Sequence, residues 1–265
     1  MYRLSLALLM ICTLSAAYAD KKDSKNDEIT GLDLRTWAEE QARILPAEVN
    51  GVPMMRPLIE EDRATVSELI DIPGVSKDHI FIAALRFAIE HLDDSEKAID
   101  KIDVVDYDAR RFVITRREAF DEGRNACAFK ATTAFQCADD MLSFTSYDIE
   151  VTYKEKGILP RTRAIEKLTP QKNERHKELF ENFSFTNSRY IRDMVEYIRE
   201  HSALNVTHWN EIKKNEVVRG MNETEVLLSV GVPDLNRASG GKVKWMYGNN
   251  FVVIFKDGTV NTVID

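Results

Sequence analysis

The stretch from Cys127 to Cys137 alternates without a break. Cys127, Phe129, Ala131, Thr133, Phe135 and Cys137 interleave with Ala128, Lys130, Thr132, Ala134 and Gln136. A period of two is the pattern of a β-strand with one face buried, so the chain has to build a sheet around a long strand and cover one side of it. The same alternation bears on the cysteines. Ten residues of strand span about 33 Å, whereas bridged Cα atoms lie about 4.4–6.8 Å apart. An unbroken strand therefore makes Cys127 and Cys137 two buried thiols, and a disulfide would need the strand to break. Two cysteines without a spaced histidine pair make no zinc site.

Further β-type runs surround this strand at 102–107, 111–117 and 141–154, with Asp139-Asp140 as the turn between the last two strands. Ahead of them, 66–72 reads as a strand closed by Pro73-Gly74. Ser76 is placed to cap a helix running to about Leu92, with Ile80, Ala83, Ala84, Phe87 and Ala88 on its buried face. Behind them, Thr169 before Pro170 predicts a helix start, with that helix ending near Asn182. A second helix is expected over about 188–201, carrying Ile191, Met194, Val195 and Ile198 on one face. Residues 58–203 thus predict a domain of β-α-β4-α order, an antiparallel sheet with helices.

A boundary is expected near Leu204-Asn205, and 204–265 read as a small ααβββ module. Trp209, Ile212 and Val217 mark its first helix. Asn222 and Glu225 have the spacing of a capping box, Val226, Leu227 and Val230 line the second helix, and Gly231 with Pro233 stops it. Strands are predicted over 242–247, 251–256 and 259–263, with Asn249-Asn250 and Asp257-Gly258 as hairpin turns. Gly240-Gly241 reads as a plain loop pair. The expected fold class is α+β, two two-layer domains in series.

The amino terminus carries a location. Arg3, an apolar run over 4–14 and Ala17-Tyr18-Ala19 form the three parts of a secretory signal peptide over 1–19. The run is shorter than the roughly 20 residues a spanning helix needs, and no later segment approaches that length. Cys12 follows Ile11 inside the run and lacks the small neighbour of a lipoprotein site. Residues 20–57 read as a flexible segment with one helix over 32–45, after which Pro46, Gly51, Pro53 and Pro57 break regular structure. A chain with 44 acidic against 36 basic residues and a formal charge of −8 is a poor electrostatic partner for nucleic acid or anionic lipid.

No catalytic constellation emerges. His79, His91, His176, His201 and His208 have no ligand spacing, and there is no nucleophile elbow, phosphate loop or dinucleotide fingerprint. Glu60-Glu61-Asp62 and Asp93-Asp94 read as solvated turns, and Arg110, Arg111, Arg116 and Arg117 as an exposed strand end. Neither a cofactor nor a metal is expected. The chain reads as a non-enzyme, with a hydrolase of unfamiliar site as an alternative.

Two resemblances add to this. Gly220-Met221, Glu225-Val226, Gly231-Val232-Pro233, Trp245 and Tyr247, then Val252-Val253, Phe255, Gly258 and Val260 follow in an order that resembles the BamE (SmpA/OmlA) outer-membrane assembly family. That resemblance implies two helices against a three-stranded antiparallel sheet, and a role near the outer membrane with partner subunits and lipid. The stretch Ile72-Pro73-Gly74-Val75-Ser76-Lys77-Asp78 running into its helix, followed by consecutive strands and a closing helix, resembles an uncharacterised domain of secreted bacterial proteins with a TATA-binding-protein-like fold, over roughly residues 60–183. The expected function is a cell-envelope binding or scaffold protein in the periplasm or at the outer-membrane periphery. Its C-terminal module would dock an envelope protein partner through Met221, Trp245, Met246, Tyr247 and Phe251; core packing is the competing reading for these residues. A carrier of lipid or another small ligand is the alternative.

Overall fold

The computed structural model describes residues 48–49, 52–53, 58–60, 63–91, 101–120, 127–154, 160–168, 173–201, 204–248 and 250–265. The expected signal peptide, the helix over 32–45 and the Thr169-Pro170 helix start lie outside the described residues. The fold is α+β, with two main antiparallel sheets.

The described residues begin with a short ladder of β1 (Glu48–Val49) and β2 (Val52–Pro53), where no regular structure was expected. β3 (Leu58–Glu60) and β4 (Arg63–Asp71) follow, then α1 (Lys77–Glu90), β5 (Lys101–Asp106), β6 (Arg111–Phe120), β7 (Cys127–Ala138), β8 (Met141–Tyr153) and β9 (Arg161–Ala164). Their sheet has the order β3-β4-β8-β7-β6-β5, with β9 paired to β8. α1 therefore carries the chain from one side of the sheet to the other, and β5 to β8 return as a meander. The Asp139-Asp140 turn also anchors α1. Asp140 Oδ1 accepts from Gly74 N at 2.7 Å and Asp139 Oδ1 from Lys77 N at 2.8 Å, while Ser76 caps the helix through His79 N.

β7 alternates as its sequence demands: each odd residue from Cys127 to Cys137 is buried. Both cysteines are unbridged, and burial pushes the Cys137 thiol far above its ordinary range. Phe112 and Phe135 stack at 4.7 Å beneath α1.

Two expectations about helices are corrected. α1 buries more than one face, since Phe81, Ile82, Leu85 and Ile89 join the expected residues inside. A helix apolar nearly all round needs cover on all sides; here sheet, C-terminal helix and a second long helix supply it. That second helix, α2 (Glu174–Glu200), is one 27-residue element capped by Asn173, where two helices were expected. Ser184, Thr186, Asn187 and Ser188 lie in or beside the gap between the two expected helices, and such side chains compete for nearby backbone. All four are buried in α2, and the Asn187 amide oxygen accepts instead from Arg116 on β6. Tertiary partners override local propensity.

The remainder comprises α3 (Trp209–Ile212), α4 (Glu223–Val230), β10 (Leu235–Ser239), β11 (Lys242–Tyr247), β12 (Phe251–Lys256) and β13 (Thr259–Ile264). The sheet is a four-stranded meander in chain order, so the expected three strands are corrected to four. Gly240 and Gly241, at φ 59° and 73°, form the missed two-residue turn between Ser239 and Lys242. Positive φ at both positions is what a type I′ hairpin requires. Asp257-Gly258 makes the next such turn as expected; Asn249 lies outside the described residues.

The C-terminal elements share one continuous core with α1 and the larger sheet. Trp209 lies 6.3 Å from Phe81 and 5.9 Å from Tyr107, ring to ring. The Arg110 guanidinium sits 4.8 Å from the Trp209 ring and pairs with Asp78 at 2.7 Å. Lys213 reaches Asp108 at 2.7 Å, and Arg86 donates to Thr224 Oγ1 at 2.7 Å.

Candidate interaction surface

Directly opposed residues of an antiparallel sheet share a face, so register divides β10–β13 into two surfaces. Asn236, Trp245, Val253 and Val263 form one row, and Ala238, Val243, Phe255 and Val260 the next. This is the core side. Trp245, Val253, Phe255 and Val260 are buried in the same cluster as Ile212, Met221 and Val226, and Trp245 meets Phe255 edge-on at 4.7 Å.

The opposite face reads differently. Leu235, Met246, Val252 and Ile264 align in one row across all four strands. Arg237, Lys244, Ile254 and Thr262 make the next, and Ser239, Lys242, Lys256 and Thr259 the third. Leu235, Met246, Ile254 and Ile264 lie outside the hydrophobic core, and Val252 is buried but does not join the main cluster. Leu235 is 37% and Ile264 49% exposed, with Val252 nearly covered between Met246 and Ile264. The four strands contain no aspartate or glutamate. Arg237, Lys242, Lys244 and Lys256 are their only charged residues, and all stand on this open face. An acidic chain thus concentrates same-sign charge beside an apolar row.

The two edges of the sheet are unequal. At β13 the segment before α4 pairs with the backbone: Gly220 N donates to Val260 O at 2.9 Å and Val260 N to Met221 O at 2.7 Å. Among the described residues β10 pairs with β11 alone, and all five of its residues are exposed.

α4 is held by its capping box, which extends into a larger node. Asn222 N donates to Glu225 Oε2 at 2.8 Å, and Glu225 N to Asn222 Oδ1 at 2.9 Å. Glu225 Oε1 accepts from Thr207 N at 2.6 Å and His208 N at 3.0 Å, and lies 2.9 Å from His208 Nδ1. Burial by itself would raise this carboxyl's pKa; the donors from Thr207, Asn222 and His208 outweigh it and hold the pKa below the ordinary value. The node fastens the chain entering α3 to the start of α4. It presents an acid beside a histidine, but every Glu225 lone pair facing them is committed to the fold.

The structure separates the five residues singled out from sequence. Met221 is fully buried and Trp245 is 4% exposed. Tyr247 and Phe251 are half-buried at the end of the core face, 5.5 Å apart, with the Tyr247 hydroxyl donating to Gly231 O at 3.1 Å. Met246 alone stands on the open face. Its neighbours Leu235, Val252 and Ile264 and the four cations were not anticipated. Two signals could have found them: the strand sequences lack acids, and Gly240-Gly241 is a hairpin turn that adds β10.

The four arginines are also redistributed. Arg111 and Arg117 are exposed, but Arg116 is only 4% exposed, paired to Glu118 at 2.7 Å and stacked 4.1 Å over the Tyr190 ring. Among the described residues no group of His, Cys, Asp and Glu is placed to hold a metal ion, and no helix is long and apolar enough to cross a membrane.

No protein-family profile matches the chain, and no curated protein matches it. Among solved structures it is similar to a TBP-like protein from Parabacteroides distasonis ATCC 8503, at a TM-score of 0.48 and 13% identity over 54% of this chain and 97% of that one. It is also similar to a DUF4468 family protein from Bacteroides ovatus ATCC 8483, at a TM-score of 0.41 and 15% identity over 60% of this chain and 95% of that one. Neither is described as of the BamE type.

Proposed function

We propose that this chain is a non-enzymatic binding or scaffold protein exported to the bacterial cell envelope, and that it docks a protein partner through the open face of β10–β13. The observation that carries the reading is the pairing, on one face, of an apolar row with four cations and no acid. Apolar side chains left in water and same-sign charges side by side both cost free energy; a complementary acidic partner relieves both. The larger sheet then serves as a platform, with Arg110, Trp209 and Lys213 fixing the module against it. The leader over 1–19 supports export. The BamE-like order of the last sixty residues supports a place near the outer membrane, although β10 is an addition to the three-stranded sheet that family implies.

The test is a photo-crosslinking residue placed at Met246 or Ile264 of the full chain in cells, with Phe185 on α2 as an exposed control position. The expected result is a discrete adduct to one envelope protein from 246 and 264, absent from 185 and abolished by Lys244→Glu. Adducts equal at all three positions, or none at 246 and 264, would overturn the proposal.

A further inference from the structure

We infer that the element docked at this surface is an acidic, extended segment of the partner, added as a fifth antiparallel strand along the free edge of β10; this rests on the open-face reading given above. Three observations converge on the edge. β10 is unpaired on its outer side among the described residues, whereas β13 is met by backbone from residues 220–222. All of β10 is exposed. Its only charged residue is a cation on the open face, Arg237, with Lys244 directly opposite it on β11.

The hairpin geometry says which backbone groups are available. A two-residue turn closes on a pair that exchanges both ladder bonds, here Ser239 and Lys242. Alternation then makes Arg237 and Leu235 bonded to β11 and turns the N–H and C=O of Asn236 and Ala238 outward. Natural edges are commonly blunted by proline, a bulge or an inward charge; β10 has no proline and shows no register shift against β11.

Side chains set the sequence that fits. An incoming antiparallel strand places alternate residues on the open face, opposite Ser239, Arg237 and Leu235. The first lies across Ser239 from Lys242 and the second beside Arg237, with Lys244 one strand further in, so both favour carboxylates. The third extends the row of Leu235, Met246, Val252 and Ile264 and favours an aliphatic side chain. The preferred pattern is acidic-x-acidic-x-apolar, with small polar residues at x where Asn236 and Ala238 are exposed.

The probe is a fluorescein-labelled peptide, Ser-Glu-Thr-Glu-Thr-Leu-Ser, titrated with the full mature chain and read by anisotropy. Three comparisons accompany it: a scramble of equal composition with acids on both faces, the same peptide N-methylated at alternate amides, and the Ala238→Pro chain. Proline at 238 removes an outward N–H while sparing the ladder to β11. Saturable binding is expected, weakened about tenfold or more in each comparison. Equal binding of the scramble or of the N-methylated peptide, both read on the unaltered chain, would reduce the interaction to charge attraction and overturn strand addition. Crosslinks from Met246 that survive Ala238→Pro but not Lys244→Glu would keep the docking face and discard the edge. Binding of phosphatidylglycerol vesicles, lost in Arg237→Glu, with no peptide binding would overturn both in favour of a lipid surface.

Discussion

Both sheets cover one face and leave the other open, yet their open faces are built on different terms. On the larger sheet Ser67, Thr145, Ala134 and Val113 lie in one row, and small hydroxyls satisfy one another. Ser67 Oγ donates to Thr145 Oγ1 at 3.0 Å, and Thr152 and Thr162 pair at 2.8 Å. Charges there come in both signs, as in Lys130–Glu150 and Arg111–Asp106. That face also exposes aliphatic side chains, Leu69 at 51% and Val104 at 55%, but it sets them among paired hydroxyls and charges of both signs. The smaller sheet leaves an apolar row and four like charges without counterparts on their own strands. What separates the two faces is charge: both signs are paired on the larger sheet, whereas the strands of the smaller one carry one sign only.

The contrast can be broken or sharpened at several points. The largest effect is expected on ending the chain at residue 203, which strips the cover contributed by α3 and α4 from α1. The remaining sheet should lose its cooperative thermal transition and bind a hydrophobic dye; a sharp unchanged transition would show two independent domains. Next, Phe135→Ala in the large sheet and Phe255→Ala in the small one should each cost about 3–5 kcal/mol in urea unfolding. Because one core joins them, tryptophan fluorescence and far-UV dichroism should shift together in both variants.

Arg116→Ala should cost about 2 kcal/mol, by removing the buried donor to Asn187 and one of the two cations on Glu118, the other being Arg189, and the loss should be measurable by the same denaturation. Glu225 gives a pH signature. Its folded pKa is held below the ordinary 4.5, so its stabilisation is present above that value and lost as pH falls through the lower folded one. Glu225→Gln should therefore be about 1–2 kcal/mol less stable at neutral pH, and the gap to wild type should close in acid. The smallest effect on stability is expected at the open face. Met246→Glu should change it by no more than about 0.5 kcal/mol while abolishing crosslinks from Ile264, which separates this face from Trp245→Ala on the core side.

Trp245 illustrates how far a strand pattern can be read. Its indole N–H is buried without an acceptor among the described residues, and it lies on the core face with Val253 and Phe255. Alternation placed Trp245 and Tyr247 together but could not say which face met the helices, because both faces of β11 and β12 carry apolar residues. Met246 was joined to them by proximity in sequence and is separated from them by the sheet itself.

Periodicity, turn chemistry and capping are local, and they were legible: the buried run in β7, the Asp257-Gly258 hairpin and the Asn222–Glu225 box each follow from a few adjacent residues. The continuity of α2, the all-round burial of α1, the burial of Arg116 and the sign of the open face depend on residues distant in the chain. Asn187 stays helical because Arg116 reaches it from β6, and Phe81 is covered because Trp209 arrives far later in sequence. Such pairings are set by the packing of whole elements, where the free energy of burying apolar surface exceeds the few tenths of a kcal/mol by which local propensities differ.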